Sequence, residues 1–225
     1  MSMPYYVAPE QMMKDRADFA RKGIARGRSL VAMQYAEGIV IVAENPSHTL
    51  RKISEIYDRI AFAGVGKYSE FDQLRVLGVR SADLKGYQFS RQDVDARSLA
   101  NQYAQMIGQT FTHEVKPLEV EILIAELGAT ADTDQLFHIM YDGTVLDRRL
   151  FLVIGGDTES IRSKIELGFK PYMSIKESVQ LAISALSSDE RILQAQDLEV
   201  AILHRNAARR CFKRISDQSL EDLLK

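Results

Sequence analysis

The chain has 225 residues, of which 46% are hydrophobic and 27% charged, with a formal net charge of −2. These are proportions of one large globular domain or two small ones, long enough to bury a sizeable core. The near-neutral balance makes no case for nucleic acid or an anionic membrane surface as partner, and no apolar run has the length of a transmembrane helix. The one cysteine, Cys211, excludes an internal disulfide framework. Together with an N-terminus, Met1-Ser2-Met3-Pro4-Tyr5-Tyr6, that lacks a basic start and an apolar leader, it fits a reducing cytoplasm.

Pro9 to about Ala25 reads as a helix. Proline is tolerated in a first turn, where its missing N–H would be unpaired anyway, and Glu10 suits the positive end of the helix dipole. Met12, Arg16, Phe19, Gly23 and Gly27 recur at helical spacing and predict a narrow, mixed face. After Arg28 the period changes to that of strands: Leu30 to Met33, a turn at Ala36-Glu37-Gly38, then Ile39 to Glu44. A polar loop at Pro46-Ser47-His48 leads to Leu50–Tyr57, a turn at Asp58-Arg59, and a buried return strand Ile60–Val65. Ser69 and Asp72 suggest a capping box for a helix whose buried face is Phe71, Leu74 and Leu77. Beyond a break at Gly86 a longer helix is expected from about Asp93 to Glu114, stopped by Pro117.

Strands then resume. Val120 to Ala125 alternates over one fully buried and one mixed face, Leu136–Tyr141 follows, and after a turn at Asp142-Gly143 comes Leu150–Ile154. Helices are expected at about Glu159–Leu167 and Ser174–Leu186, a strand pair at Asp197–Leu203 and Arg210–Ile215, and a short helix from Ser219. There is no internal repeat, low-complexity segment or long linker, so residues 1–225 read as a single domain. Strands and helices come in blocks and do not alternate singly, which argues against doubly wound and barrel α/β folds. An α+β fold follows: two antiparallel sheets face to face with helices on both outer faces, a four-layer α/β/β/α sandwich.

Local motifs carry little chemistry. Gly64-Val65-Gly66-Lys67 lies between a strand and a helix, but Ala61 and Tyr68 break the phosphate-loop pattern at both ends, leaving glycines that ease a turn. His48, His113, His138 and His204 fall in four different elements without metal-ligand spacing. Cys211, between Arg210 and Phe212, has no nucleophile signature. Tyr5-Tyr6, ahead of the helix, are aromatics packed on the fold or offered to a partner. Lys52, near a strand end, reads by itself as an edge lysine that blunts strand addition.

A resemblance runs through nearly the whole chain. Ser2-Met3-Pro4-Tyr5-Tyr6, Pro9-Glu10-Gln11, Ala20-Arg21-Lys22-Gly23-Ile24-Ala25-Arg26, Val42-Ala43-Glu44-Asn45-Pro46-Ser47 and Lys52-Ile53-Ser54-Glu55-Ile56-Tyr57-Asp58-Arg59 are similar to the α-subunit of the 20S proteasome, in its actinobacterial form. Gly86-Tyr87, Arg91-Gln92-Asp93-Val94, Lys116-Pro117-Leu118-Glu119-Val120-Glu121, Tyr141-Asp142-Gly143 and Leu198-Glu199-Val200-Ala201 continue it. Archaeal and eukaryotic relatives carry Ser-Pro-x-Gly-Arg-Leu before the first helix, where this chain has Tyr6-Val7-Ala8-Pro9-Glu10-Gln11.

The resemblance implies the N-terminal-nucleophile hydrolase fold with an extra N-terminal helix. In the catalytic β-subunits a threonine at the start of the core strand attacks the peptide, helped by an acid and a lysine. The corresponding positions here are Arg28, Glu44 and Lys52, and Arg28 is no nucleophile. No Gly-Thr pair precedes the strand to mark autocleavage. The resemblance therefore implies a subunit without peptidase activity, without cofactor or metal, in a homo-heptameric α-ring that caps β-rings. It implies an activator pocket at Lys52, Gly27 and Gly66 that takes the C-terminal carboxylate of a ring-shaped ATPase. It also implies an axial gate formed by Met1, Ser2, Met3, Pro4, Tyr5 and Tyr6, and unfolded, pupylated proteins as clients. The alternatives are an active N-terminal-nucleophile hydrolase processed at an unrecognised site such as Ser29, and a free-standing binding domain that shares the fold.

Overall fold

The structure, a computed structural model, describes residues 8–47, 49–188 and 191–224. The expected gate segment Met1 to Tyr6 and His48 lie outside the described residues. Six helices are described, α1 Pro9–Ala25, α2 Tyr68–Gln88, α3 Ala96–His113, α4 Thr158–Gly168, α5 Ile175–Leu186 and α6 Asp217–Leu224. Ten strands are described with them: β1 Leu30–Tyr35, β2 Gly38–Glu44, β3 Ile53–Tyr57, β4 Ile60–Gly66, β5 Val120–Glu126, β6 Gln135–Ile139, β7 Val145–Arg148, β8 Phe151–Ile154, β9 Leu198–His204 and β10 Phe212–Ile215.

The strands form two five-stranded sheets, ordered β10-β9-β2-β1-β8 and β3-β4-β5-β6-β7, and every pairing is antiparallel. Side chains alternate across each strand, and three apolar layers result. Leu30, Ala32, Ile41, Ala63, Leu123 and Ala201 fill the space between the sheets. Phe62, Ile122 and Ile124 face α2 and α3. Val31, Val40, Val42 and Val200 face α4 and α5. The expected α/β/β/α sandwich is the observed one. Helix α1 lies outside the four layers, against β4 and β5.

Several boundaries and faces differ from expectation. The buried residues of α1 are Ala20 and Ile24, while Met12, Met13 and Phe19 are exposed. Its covered stripe is thus rotated from the expected one, and Arg16 reaches across to donate to the Phe111 carbonyl at 2.7 Å. No capping box forms at Ser69: α2 starts at Tyr68, and Asp72 pairs instead with Arg75 at 2.8 Å. Gly86 does not break α2, because it lies within the helix at a close approach where a Cβ would stand 2.0 Å from the Tyr57 hydroxyl. Helix α3 starts later than expected, since Asp95 caps it by accepting the Ser98 N–H at 2.8 Å. Strand β5 buries nearly all of both faces. Strand β7, not separately expected, carries Asp147 and Arg148 exposed and so lacks apolar alternation.

At α5 the sequence does form a capping box: Ser174 accepts the Glu177 N–H, and Glu177 accepts the Ser174 N–H at 2.7 Å. Ser174→Ala should therefore cost about 1 kcal/mol. The melting temperature should fall by about 2–4 °C for a chain of this size, measured by circular dichroism.

Candidate functional site

The chain leaves α1 through Gly27, whose N–H closes the helix by donating to the Ile24 carbonyl at 2.8 Å. Gly27 packs directly on β4: a Cβ there would stand 2.8 Å from both the Gly66 nitrogen and Val65 Cγ1. Gly66 itself has φ +108, a conformation that favours glycine, and its missing Cβ would collide with the Glu119 carbonyl at 1.9 Å. Two of the three expected pocket positions are thus in contact, and each is glycine for a steric reason.

Lys52, the third, immediately precedes the edge strand β3, and its carbonyl accepts the Gly64 N–H at 3.1 Å. Its ammonium does not point outward as an edge lysine's would. It turns in to the Arg28 carbonyl, in a short contact, and to the Glu44 carbonyl at 3.4 Å. Lys52 is therefore drawn to the residue that follows Gly27, and the three positions form one constellation at the end of the sandwich where α1 enters.

Electrostatics make this lysine unusual. Burial pushes its pKa from the ordinary 10.5 down to about 8, while Glu44 and Glu199 pull it up and Arg28 pushes it down further. Both acceptors of its ammonium are neutral carbonyls. The Glu44 carboxylate is held by Arg28 and Arg191, each in a short ion pair, and among the described residues Lys52 makes no ion pair. A desolvated cation whose own hydrogen-bond acceptors are neutral is suited to receiving an anion from outside the chain.

Arg28 has neither hydroxyl nor thiol, and the neighbouring Ser29 is 7% exposed and donates its hydroxyl to the Gly155 carbonyl at 2.9 Å. The described histidines sit apart with local partners: His113 at the Gln109 carbonyl, His138 at Glu121, His204 at the Tyr35 hydroxyl. Cys211 precedes β10 instead of lying in it, and its N–H donates to the Asp58 carbonyl at 2.8 Å.

Two residues of the site were not expected from sequence. Arg191 lies in an irregular loop with no pattern to mark it. Glu199 did carry a signal, one carboxylate inside the apolar run Leu198 to Leu203. It is 3% exposed and accepts the Lys52 N–H at 2.8 Å.

An N-terminal-nucleophile sandwich with a helix placed ahead of its first strand defines the class of protein. The family profile described as "Proteasome subunit" matches residues 24–203. Proteasome subunit alpha of Acidimicrobium ferrooxidans is 58% identical over 224 residues, spanning 100% of this chain and 97% of the relative. That of Sanguibacter keddieii is 54% identical over 229 residues (100% and 90%), and that of Thermomonospora curvata 50% over 226 (100% and 98%). The chain belongs to the proteasome subunit family, and within it to the α type.

The depressed pKa has a thermodynamic consequence. Between about pH 8 and 10.5 the unfolded chain binds a proton at Lys52 that the folded chain has released. Stability should therefore rise with pH through that window, the burial penalty being fully present below it. Lys52→Met should remove this increment, measured as unfolding by denaturant at the two ends of the window.

Proposed function

We propose that this chain is the non-catalytic, ring-forming subunit of a cytoplasmic proteasome core. In this reading it forms a homo-heptameric ring with neighbouring α-subunits, serves as the platform on which β-rings assemble, and admits unfolded, pupylated substrates delivered by a ring-shaped ATPase. The observation that carries it is the end of the sandwich where an active relative would begin. Helix α1 precedes that point, Arg28 occupies it, and the lysine that would assist a nucleophile is directed at the Arg28 carbonyl. The lysine without its nucleophile is left as a binding group.

Lys52 is the anchor for the C-terminal carboxylate of an ATPase tail, and Gly27 and Gly66, packed on each other, hold the backbone beside it. Lysine is a compact charge on a flexible stem, matched to a single carboxylate. Exposed Met12, Met13 and Phe19 on α1 suit a contact with a neighbouring subunit, since closed rings arise from head-to-tail interfaces of this kind. The segment Met1 to Tyr6 acts as the gate.

In the assembled particle, Lys52→Ala should weaken tail-peptide binding by at least about tenfold, the scale of one charge-assisted hydrogen bond. It should also abolish ATPase-stimulated degradation; unchanged binding and degradation would overturn the anchor. Docking should weaken as pH rises past about 8, where the ammonium discharges. Deleting residues 1–8 should raise basal peptide hydrolysis by particles assembled with β-subunits, and no increase would remove the gate. N-terminal sequencing of the purified chain separates this reading from an active hydrolase, which would begin at Ser29 or another hydroxyl residue.

A further inference from the structure

Glu199 is a carboxylate at the second position of a buried strand. Leu198, Val200, Ala201, Ile202 and Leu203 surround it along β9, and it is 3% exposed. One oxygen accepts from the Lys52 N–H at 2.8 Å and from the Asn45 amide at 2.7 Å. The other accepts from the Ile53 N–H at 3.3 Å and takes a short ion pair from Arg214, which also donates to the Ile53 carbonyl at 2.7 Å. Strand β9 belongs to one sheet and β3 to the other, so this carboxylate ties the two sheets together. The tie is made at Ile53, the first residue of β3, and at Lys52 just before it.

Elsewhere the layer between the same two sheets is mostly apolar, with Ala32, Ala63, Leu123 and Ala201 in it, and its other polar ties, Arg205–Asp134 and Arg210–Glu55, lie away from Lys52. Burying a charge at this end is unfavourable unless it is fully paired. All its partners on β3 are backbone groups, and these fix where the Lys52 side chain starts.

We propose that Glu199 is a positioning residue for Lys52. It holds the Lys52 and Ile53 amides at the entry to β3 so that the ammonium reaches the Arg28 and Glu44 carbonyls, and it sets a negative charge behind that ammonium for the reception of a terminal carboxylate. The inference rests on the docking reading of Lys52. The charged groups around Lys52 divide accordingly. Glu44 is occupied by Arg28 and Arg191 on one side, and Glu199 is held by Arg214 on the other. The downward push of burial on Lys52 is countered by both carboxylates.

Two substitutions in the assembled particle give opposite signs. Glu199→Gln keeps the shape and removes the charge; Arg214→Gln keeps the charge, still bonded by Asn45 and two amides, and removes its counter-ion. Titration of isotope-labelled lysine followed by NMR should show the Lys52 pKa lowered by about one unit in the first and raised in the second. The probe for binding is a synthetic peptide with a free C-terminal carboxylate, its C-terminal amide serving as control. Glu199→Gln should weaken the carboxylate peptide about tenfold, the usual cost of losing a group that orients a ligand-binding residue. It should leave the amide unaffected and cause no further loss when added to Lys52→Ala. Shifts of the same sign, no shift, or an equal loss on the Lys52→Ala background would each overturn the inference and leave Glu199 a tie between sheets. Peptide binding that survives Lys52→Ala would overturn the docking reading and the binding half of this inference with it, leaving the opposed titration shifts to stand or fall separately.

Discussion

The spacing between the two sheets governs everything else in this molecule. The inward faces of the central strands carry many small residues, Ala32, Ala43, Ala61, Ala63, Ala125 and Ala201, among larger ones such as Ile41 and Leu123. The outward faces carry the branched and aromatic residues that receive the helices. Interiors are packed as densely as organic crystals, so a layer lined with alanine draws the sheets close and leaves little room between them. Any polar group in that layer must be fully paired. Glu199 meets that condition at one end, and Arg205 meets it elsewhere by gripping the fully buried Asp134 at 2.8 Å.

The same closeness explains the glycines at the entry end. Helix α1 has to deliver the chain into β1 across the end of β4, and Gly27 against Gly66 is where the backbones meet. A side chain at either position would push α1 away, and with it the Arg28 carbonyl toward which Lys52 is directed. The site is a product of how the extra helix is fitted onto a sandwich that folds around other contacts. Glu44 and Lys52 both meet Arg28 there, the first at its guanidinium and the second at its carbonyl.

Much of this was legible in the sequence. Block order alone gave the layered sandwich, because strands that bury both faces need a partner on each side. Strand positions followed from runs such as Ile39–Glu44 and Ile60–Val65. The boundaries were less legible. Asp95 and Lys67 act through local hydrogen bonds or backbone conformation, which periodicity does not report, and β7 has too few apolar residues to announce itself. The covered face of α1 was not legible, because the small Ala20 is buried with Ile24 while the apolar Met12 and Phe19 lie exposed. At the site, Lys52 was marked by resemblance and not by its neighbours. Arg191 was invisible, since its contact with Glu44 spans 147 positions of sequence. Glu199 was visible in principle as the odd carboxylate in β9, but which backbone it would hold depends on the pairing of the two sheets.

The amine of Lys52 has a further consequence, in chemical reactivity. An amine with a pKa of about 8 instead of 10.5 exposes its lone pair at neutral pH more than a hundredfold more often, at about tenfold per unit. The neutral fraction is what attacks carbonyl and acyl electrophiles. Lysines at the ordinary value are shielded from such reagents by their own protons. An adduct on this amine would remove the positive charge that is directed at the Arg28 and Glu44 carbonyls.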